Sequence, residues 1–289
     1  MIRLELDFQL DYRIDGDSAD FVFLIHPART QRQILVTESL AISQAVEPRV
    51  QTDADGINRT MQLRAQNGLL QVHYQATVDI DHHRADPDVI GEVPVHALPI
   101  DVIPFLRPSR YCQSDRLLTF TLDTFSHLTP GYRRVEAICQ WVYEHVRFMR
   151  NRSDASTSAI ETLISRAGIC RDFSHLMIAL CRALGIPARF VSGTDYGTDR
   201  SWGPPDFHAY VEAYLDGGWY IFDPGGMGIP MGFVRLASGR DAADVAFATI
   251  YGDVMAGVPL VEAHALPHPD GIGLYPHHCP SALSTDRSD

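Results

Sequence analysis

Five cysteines stand in the 289-residue chain, at 112, 139, 170, 181 and 279, and one is placed where a thiol can act as a nucleophile. Gly168-Ile169-Cys170-Arg171-Asp172-Phe173 runs from a glycine-containing turn into an apolar stripe at helical spacing: Phe173, Leu176, Met177, Leu180 and Leu184. The unpaired amides and positive dipole end of a helix start stabilise a thiolate. They can also hold the oxyanion of a tetrahedral intermediate. A lone cysteine is more often a small buried hydrophobe, and Cys112, Cys139, Cys181 and Cys279 keep that plainer reading. The odd count and the lack of any C-x-x-C pair argue against a disulfide framework and a thiolate zinc site.

A thiol nucleophile needs a base and a group that orients the base. The segment from His208 to Pro224 reads as a β-hairpin about Asp216-Gly217, a favoured two-residue turn. Leu215 then faces Gly218, and counting outward sets Tyr210 opposite Asp223. His208 lies two residues from Tyr210 on the same side of the sheet, at a diagonal of roughly 7–8 Å that His and Asp side chains can bridge. A three-residue loop would set Asp223 opposite Val211 and part the pair. Together these residues give the order Cys170, His208, Asp223: nucleophile, base and orienter. His208 would take the thiol proton and return it to a leaving amine. No cofactor is needed for that chemistry.

Other side chains near these positions have plainer readings. Asp172 is a candidate for the substrate groove, but a carboxylate in the first helical turn also caps the helix. His175 reads as a packed histidine. Trp202, between Arg200 and Pro204-Pro205, is a candidate groove wall just upstream of His208. His264, His268, His277, His278 and Cys279 match no defined metal-site spacing, so no metal is expected. His82-His83 reads as an exposed loop pair. No phosphate loop or dinucleotide fingerprint is present.

The elements that must position these groups fall into two periods. Up to about residue 106 the pattern is strand-like, with Leu4/Leu6/Phe8/Leu10, Phe21–Ile25, Ile34–Val36 and Leu69–Tyr74 divided by turn signals at Asp15-Gly16-Asp17 and Asp53-Ala54-Asp55-Gly56. Pro99 to Pro108 suits an extended connector. Beyond it, Val135, Ile138, Trp141, Val142 and His145 recur at helical steps, and Thr157 to Ser165 suits a second short helix. The helix after Cys170 stops at Gly185 and Pro187. Strand-like runs follow at 188–191, 208–215 and 219–222. The expectation is an α+β chain: an all-β domain over 1–110, a catalytic domain over 111–265, and a proline- and histidine-rich tail over 266–289.

Composition narrows the partners. Apolar residues make up 45% and charged residues 21%, as in globular proteins. All 24 basic residues are arginine, and the net charge is -12, which argues against nucleic acid as a partner. No run approaches the ~18 apolar residues of a membrane helix. The N-terminus lacks the apolar stretch of a signal peptide, so a cytoplasmic location is expected.

The run Gly168 to Leu176, continued through Ala179 to Gly193, resembles the core of the bacterial transglutaminase-like superfamily, as do His208 to Tyr214 and Gly218 to Pro224. The similarity spans about 130–225, and the β-rich N-terminal half resembles the domain often attached to that core. The resemblance implies a papain-like helix carrying Cys170 against an antiparallel sheet carrying His208 and Asp223. It implies acyl transfer through a thioester on Cys170, with a peptide or protein as substrate. Gln140, Trp141 and Tyr143 are the candidates it suggests for a second oxyanion donor. The sequence departs from the commonest pattern at Tyr210, where Trp is frequent, and at Gly225-Gly226, where Thr-Asn is frequent. Hydrolysis, as in a protease or amidase, is the expected outcome. The alternatives are protein-glutamine crosslinking and a non-catalytic binding module that retains the fold.

Overall fold

The computed structural model describes residues 1–199, 206–267 and 273–287. β1 (Ile2–Phe23), β2 (Gln33–Ile42), β3 (Arg49–Thr52) and β4 (Arg59–Ile80) make an antiparallel sheet in which β1 and β4 pair along their length, and β5 (His83–Ala85) follows. Leu4, Leu6, Phe8, Leu10, Tyr12 and Ile14 are buried while the residues between them are not, the period-two pattern of a sheet with one dry face. Asp15-Gly16-Asp17, expected to turn the chain, lies inside β1. There the register against β4 shifts between Ile14 and Ser18, a bulge that absorbs residues without ending the strand. Asp53–Gly56 does turn, with the Gly56 N–H donating to the Asp53 carbonyl at 3.0 Å. His82, expected to be exposed, is buried, and burial lowers its pKa to about 4. The connector before residue 108 contains a 3-10 turn over Ile103–Leu106 rather than being extended throughout.

Four helices follow among the described residues: α1 (Leu118–Phe125), α2 (Tyr132–His145), α3 (Ala159–Ser165) and α4 (Cys170–Ala183). Only α1 was not legible as a periodic stripe. β6 (Arg147–Phe148) and β7 (Ala167–Gly168) pair in parallel between α2 and α4. α4 ends where Gly185, at φ +76°, donates its N–H to the Arg182 carbonyl at 2.9 Å.

β8 (Ala188–Thr194), β9 (Phe207–Leu215), β10 (Gly218–Phe222) and β11 (Val234–Gly239) form a second antiparallel sheet in the order β10-β9-β8-β11. Ala209, Val211 and Ala213 pack with Phe173, Leu176 and Leu180 of α4. Val191, Tyr210 and Ile221 pack with Leu6, Phe8 and Tyr74 of the first sheet. Covered on both faces, β8 and β10 are buried at every residue, which is why their sequences read as apolar runs rather than as alternation. The molecule is thus layered as helices, sheet, sheet, an α+β fold.

Strand pairing crosses the expected boundary near residue 110. β12 (Ala248–Tyr251), β13 (Val254–Ala256) and β14 (Leu260–Leu266), within the segment assigned to the catalytic domain, all pair antiparallel with β1. They cover an edge of β1 that would otherwise be left open. Nor is the segment after 266 wholly a tail. β15 (Ala282–Ser284) pairs with β5, and Ala282 and Ser284 are fully buried. Among the described residues, no helix is long and apolar enough to cross a membrane.

Candidate active site

Cys170 is the first residue of α4 and is partly exposed. The sharp entry from β7 into the helix is held by Asp172, which is fully buried and whose Oδ2 accepts the Ile169 N–H at 2.9 Å. Asp172 therefore caps the helix rather than lining a groove. Gly168 makes the fold-back possible, because a Cβ there would stand 2.7 Å from the Asp172 side chain. With the Ile169 amide taken, the Cys170 amide is left without an acceptor within the described residues.

The hairpin register is the one counted from the sequence: Gly218 faces Leu215 and Phe222 faces Val211. Asp216 at φ 44° and Gly217 at φ +80° make the two-residue turn, both in the left-handed region that such a turn requires. This brings His208 Nε2 to 3.3 Å from Asp223 Oδ1, with the histidine only 3% exposed. Cys170 stands close enough to the imidazole to help raise its pKa. Asp223 is itself fixed by the loop after it. Its Oδ1 accepts the Gly225 N–H at 3.1 Å, and its Oδ2 accepts the Met227 N–H at 3.1 Å and the Gly228 N–H at 3.3 Å. Gly226, at φ +58°, packs so closely on the Tyr143 ring that a Cβ would stand 2.7 Å from it. Gly226 is therefore required by this loop's path.

Burial alone would lower the His208 pKa. The Asp223 charge and hydrogen bond, with a further contribution from Cys170, outweigh it and leave the imidazole well above the ordinary histidine value. Burial pushes Asp223 up, but His208 and the Gly228 and Gly225 amides pull it below the ordinary carboxylate value. The two groups sustain each other as an ion pair.

A cleft of about 330 Å³ opens on Cys170 and His208. Phe148, Ile169 and Met227 line it, and Val261 to His264 of β14 wall it from the first sheet. The β14 wall was not legible in the sequence, since nothing local ties residue 262 to residue 170. Gln140 and Trp141 do not reach the cleft. Gln140 is exposed and donates to Glu144 at 2.8 Å, while Trp141 stacks on His145 at 4.1 Å and packs on Phe120 and Phe125. They sit on faces of α2 turned elsewhere. Tyr143 packs against the Asp223 loop instead. His175 is buried, as expected, and its Nε2 accepts the Ala242 N–H at 3.1 Å. Trp202 and His268 lie outside the described residues. His264 pairs with Glu262 at 3.2 Å, His277 with the Tyr275 carbonyl at 3.0 Å, and no three metal-ligating side chains converge among the described residues.

Residues 119–224 match the transglutaminase-like superfamily and residues 2–101 the bacterial transglutaminase N-terminal domain. A crystal structure from Cytophaga hutchinsonii, of a protein named as a candidate cysteine protease, is 37% identical and superposes with a TM-score of 0.89 over 98% of this chain and 97% of that one. The chain belongs to the transglutaminase-like superfamily, in its two-domain bacterial form. Among curated sequences, an uncharacterized protein of Mycobacterium leprae is 30% identical over 119 residues, 39% of this chain and 42% of that protein. An uncharacterized protein of Mycobacterium bovis is 28% identical over 143 residues, 46% of each. The match spans less than half the length of these relatives.

Proposed function

We propose that the protein is a thiol acyl-transfer enzyme that opens amide or peptide bonds through a thioester on Cys170. The observation that carries this reading is His208, held between Asp223 and the partly exposed Cys170 at the mouth of a cleft. With the thiol proton already held on His208 as imidazolium, Cys170 Sγ attacks the carbonyl carbon as a thiolate, and the Cys170 amide faces the developing oxyanion. His208 then protonates the departing amine. Water, deprotonated by the same imidazole, attacks the thioester and releases the acid and the thiol. Hydrolysis is favoured because water always competes for the thioester. Asp195, Asp206 and Glu262 line the same cleft and support a second outcome, in which a primary amine drawn in as its ammonium form gives a proton to the neutral His208 imidazole and the free amine then attacks the thioester.

Site-mapped iodoacetamide labelling against pH, on the wild type and on His208→Ala, tests the reading. Cys170 is expected to label faster than Cys112 and Cys279 near neutral pH, and to slow by roughly 10²-fold or more without its base. Equal rates at the three thiols would overturn it. Adding a primary amine during turnover of a peptide substrate then divides hydrolysis from transamidation by product mass.

A further inference from the structure

The strand leading out of α2 separates two cavities. Phe148 and Arg150 line the cleft at Cys170, whereas Arg147, Met149 and Arg152 line a second cavity of about 460 Å³. Ile169 and Ala167 divide between the two in the same way. Across Arg147 to Met149 and Ala167 to Ile169 this is the period-two pleat of extended chain, and Arg150 and Arg152 follow in a 3-10 turn, so the β6/β7 ribbon has one face toward Cys170 and the other toward a separate site.

That second face is basic. Arg147, Arg152, Arg166 and His145 surround the cavity. The three arginines are exposed, and their guanidinium groups make no hydrogen bond or ion pair among the described residues. Elsewhere in this chain of net charge -12, carboxylates are taken up by arginine: Asp79 by Arg3, Asp20 by Arg64, Asp88 by Arg133 and Asp244 by Arg240. Among the described residues, the one carboxylate lining the cavity, Glu144, already accepts a hydrogen bond from Gln140 at 2.8 Å. His145 engages the Trp141 carbonyl through Nδ1 at 2.8 Å, which leaves Nε2 as the ring atom open to a ligand.

Three guanidinium groups against one carboxylate leave two positive charges in excess around the cavity. Guanidinium forks bind oxyanions through paired hydrogen bonds. A single carboxylate would neutralise half of the excess, whereas a phosphoryl group, at about −1.5 to −2 near neutral pH, matches it. We propose that this cavity is a binding site for a phosphoryl dianion, either free phosphate or the same group carried on a peptide. The site does not depend on the proposed acyl transfer, since none of its residues belongs to the triad.

The test is calorimetric titration of the full chain at low ionic strength, held constant with chloride. The probes are inorganic phosphate and a short phosphoserine peptide with its unphosphorylated counterpart. One probe at least is expected to saturate a single site, the unphosphorylated peptide is not, and Arg152→Gln or Arg147→Gln is expected to weaken binding by roughly tenfold or more. Arg13→Gln, remote from the cavity, is expected to bind as the wild type. Tighter binding of the phosphopeptide than of phosphate would identify a protein-borne group, and the reverse would identify the free ion. Failure of both probes to saturate overturns the proposal. So does equal affinity in the wild type and both cavity variants, with circular dichroism confirming that each is folded.

Discussion

His208 is gripped by Asp223 and stands close to Cys170, so its titration reports on all three groups. Burial pulls its pKa down, and the Asp223 charge and hydrogen bond, joined by Cys170, together outweigh it. Asp223→Asn removes the charge and keeps the shape. His208 is then expected to titrate below the ordinary histidine value rather than above it, followed by imidazole NMR. A His208 titration unmoved by the substitution would mean that Asp223 does not hold the base. The same pair ties stability to pH. Asp223, depressed in the folded state, stabilises above the unfolded carboxylate value of about 3.9 and loses that contribution as pH falls through its folded value. His208, raised in the folded state, stabilises below about 6.5 and loses that contribution as pH rises through its folded value. In melts across pH, the difference between wild type and Asp223→Asn is expected to be widest between those limits.

At the scale of elements, the start of α4 is the part with least tolerance. Gly168, Ile169 and Asp172 form one unit. The glycine admits the carboxylate, and the carboxylate takes the Ile169 amide at the entry to the helix. Gly168→Ala places a methyl 2.7 Å from Asp172, so the cap must open or the ribbon must shift. The expected cost is about 1–3 kcal/mol in denaturant unfolding, with a loss of Cys170 labelling rate larger than the stability loss explains. Asp172→Ala is expected to cost a similar amount, because it strips the acceptor from a half-buried amide. A Gly168→Ala variant that melts and labels like the wild type would show that the turn has room the geometry denies it.

On the scale of the whole molecule, a buried charge cluster joins the chain's end to the sheet that carries His208. Glu212 is fully buried and accepts from Arg189 Nε at 2.7 Å. Arg235, 1% exposed, reaches Asp286 at 2.8 Å and Thr285 at 2.6 Å, and Asp286 also pairs with Arg189. Two guanidinium groups share two carboxylates, and the two arginines hold the Asp286 carboxyl far below the ordinary carboxylate range. Ending the chain after Pro280 removes β15 and Asp286 together, leaving two arginines inside with one acid. Breaking such a cluster costs on the order of 3–5 kcal/mol, and the truncated chain is expected to melt far below the full one. Retention of the full melting temperature would assign the segment no role in the fold.

The helix at Cys170 and the hairpin register of His208 and Asp223 were legible in the sequence, because each rests on short-range geometry: helical period, a two-residue turn, alternation along a strand. The same local reasoning failed wherever the decisive contact was distant. Asp15-Gly16-Asp17 has turn composition, yet β4 runs opposite it and makes it a bulge. Residues 248–266 follow the catalytic core in sequence, yet they pair with β1 and supply one wall of the cleft. Gln140 and Trp141 precede Cys170 in sequence, but the rotation of α2 faces them away from the cleft. What the sequence determined by itself is the set of groups that can do the chemistry and the local geometry that brings His208 to Asp223. What tertiary structure alone decided is the cleft around them and the role of the C-terminal segment, since strand edges and buried charges find partners by proximity in space, which sequence separation does not encode.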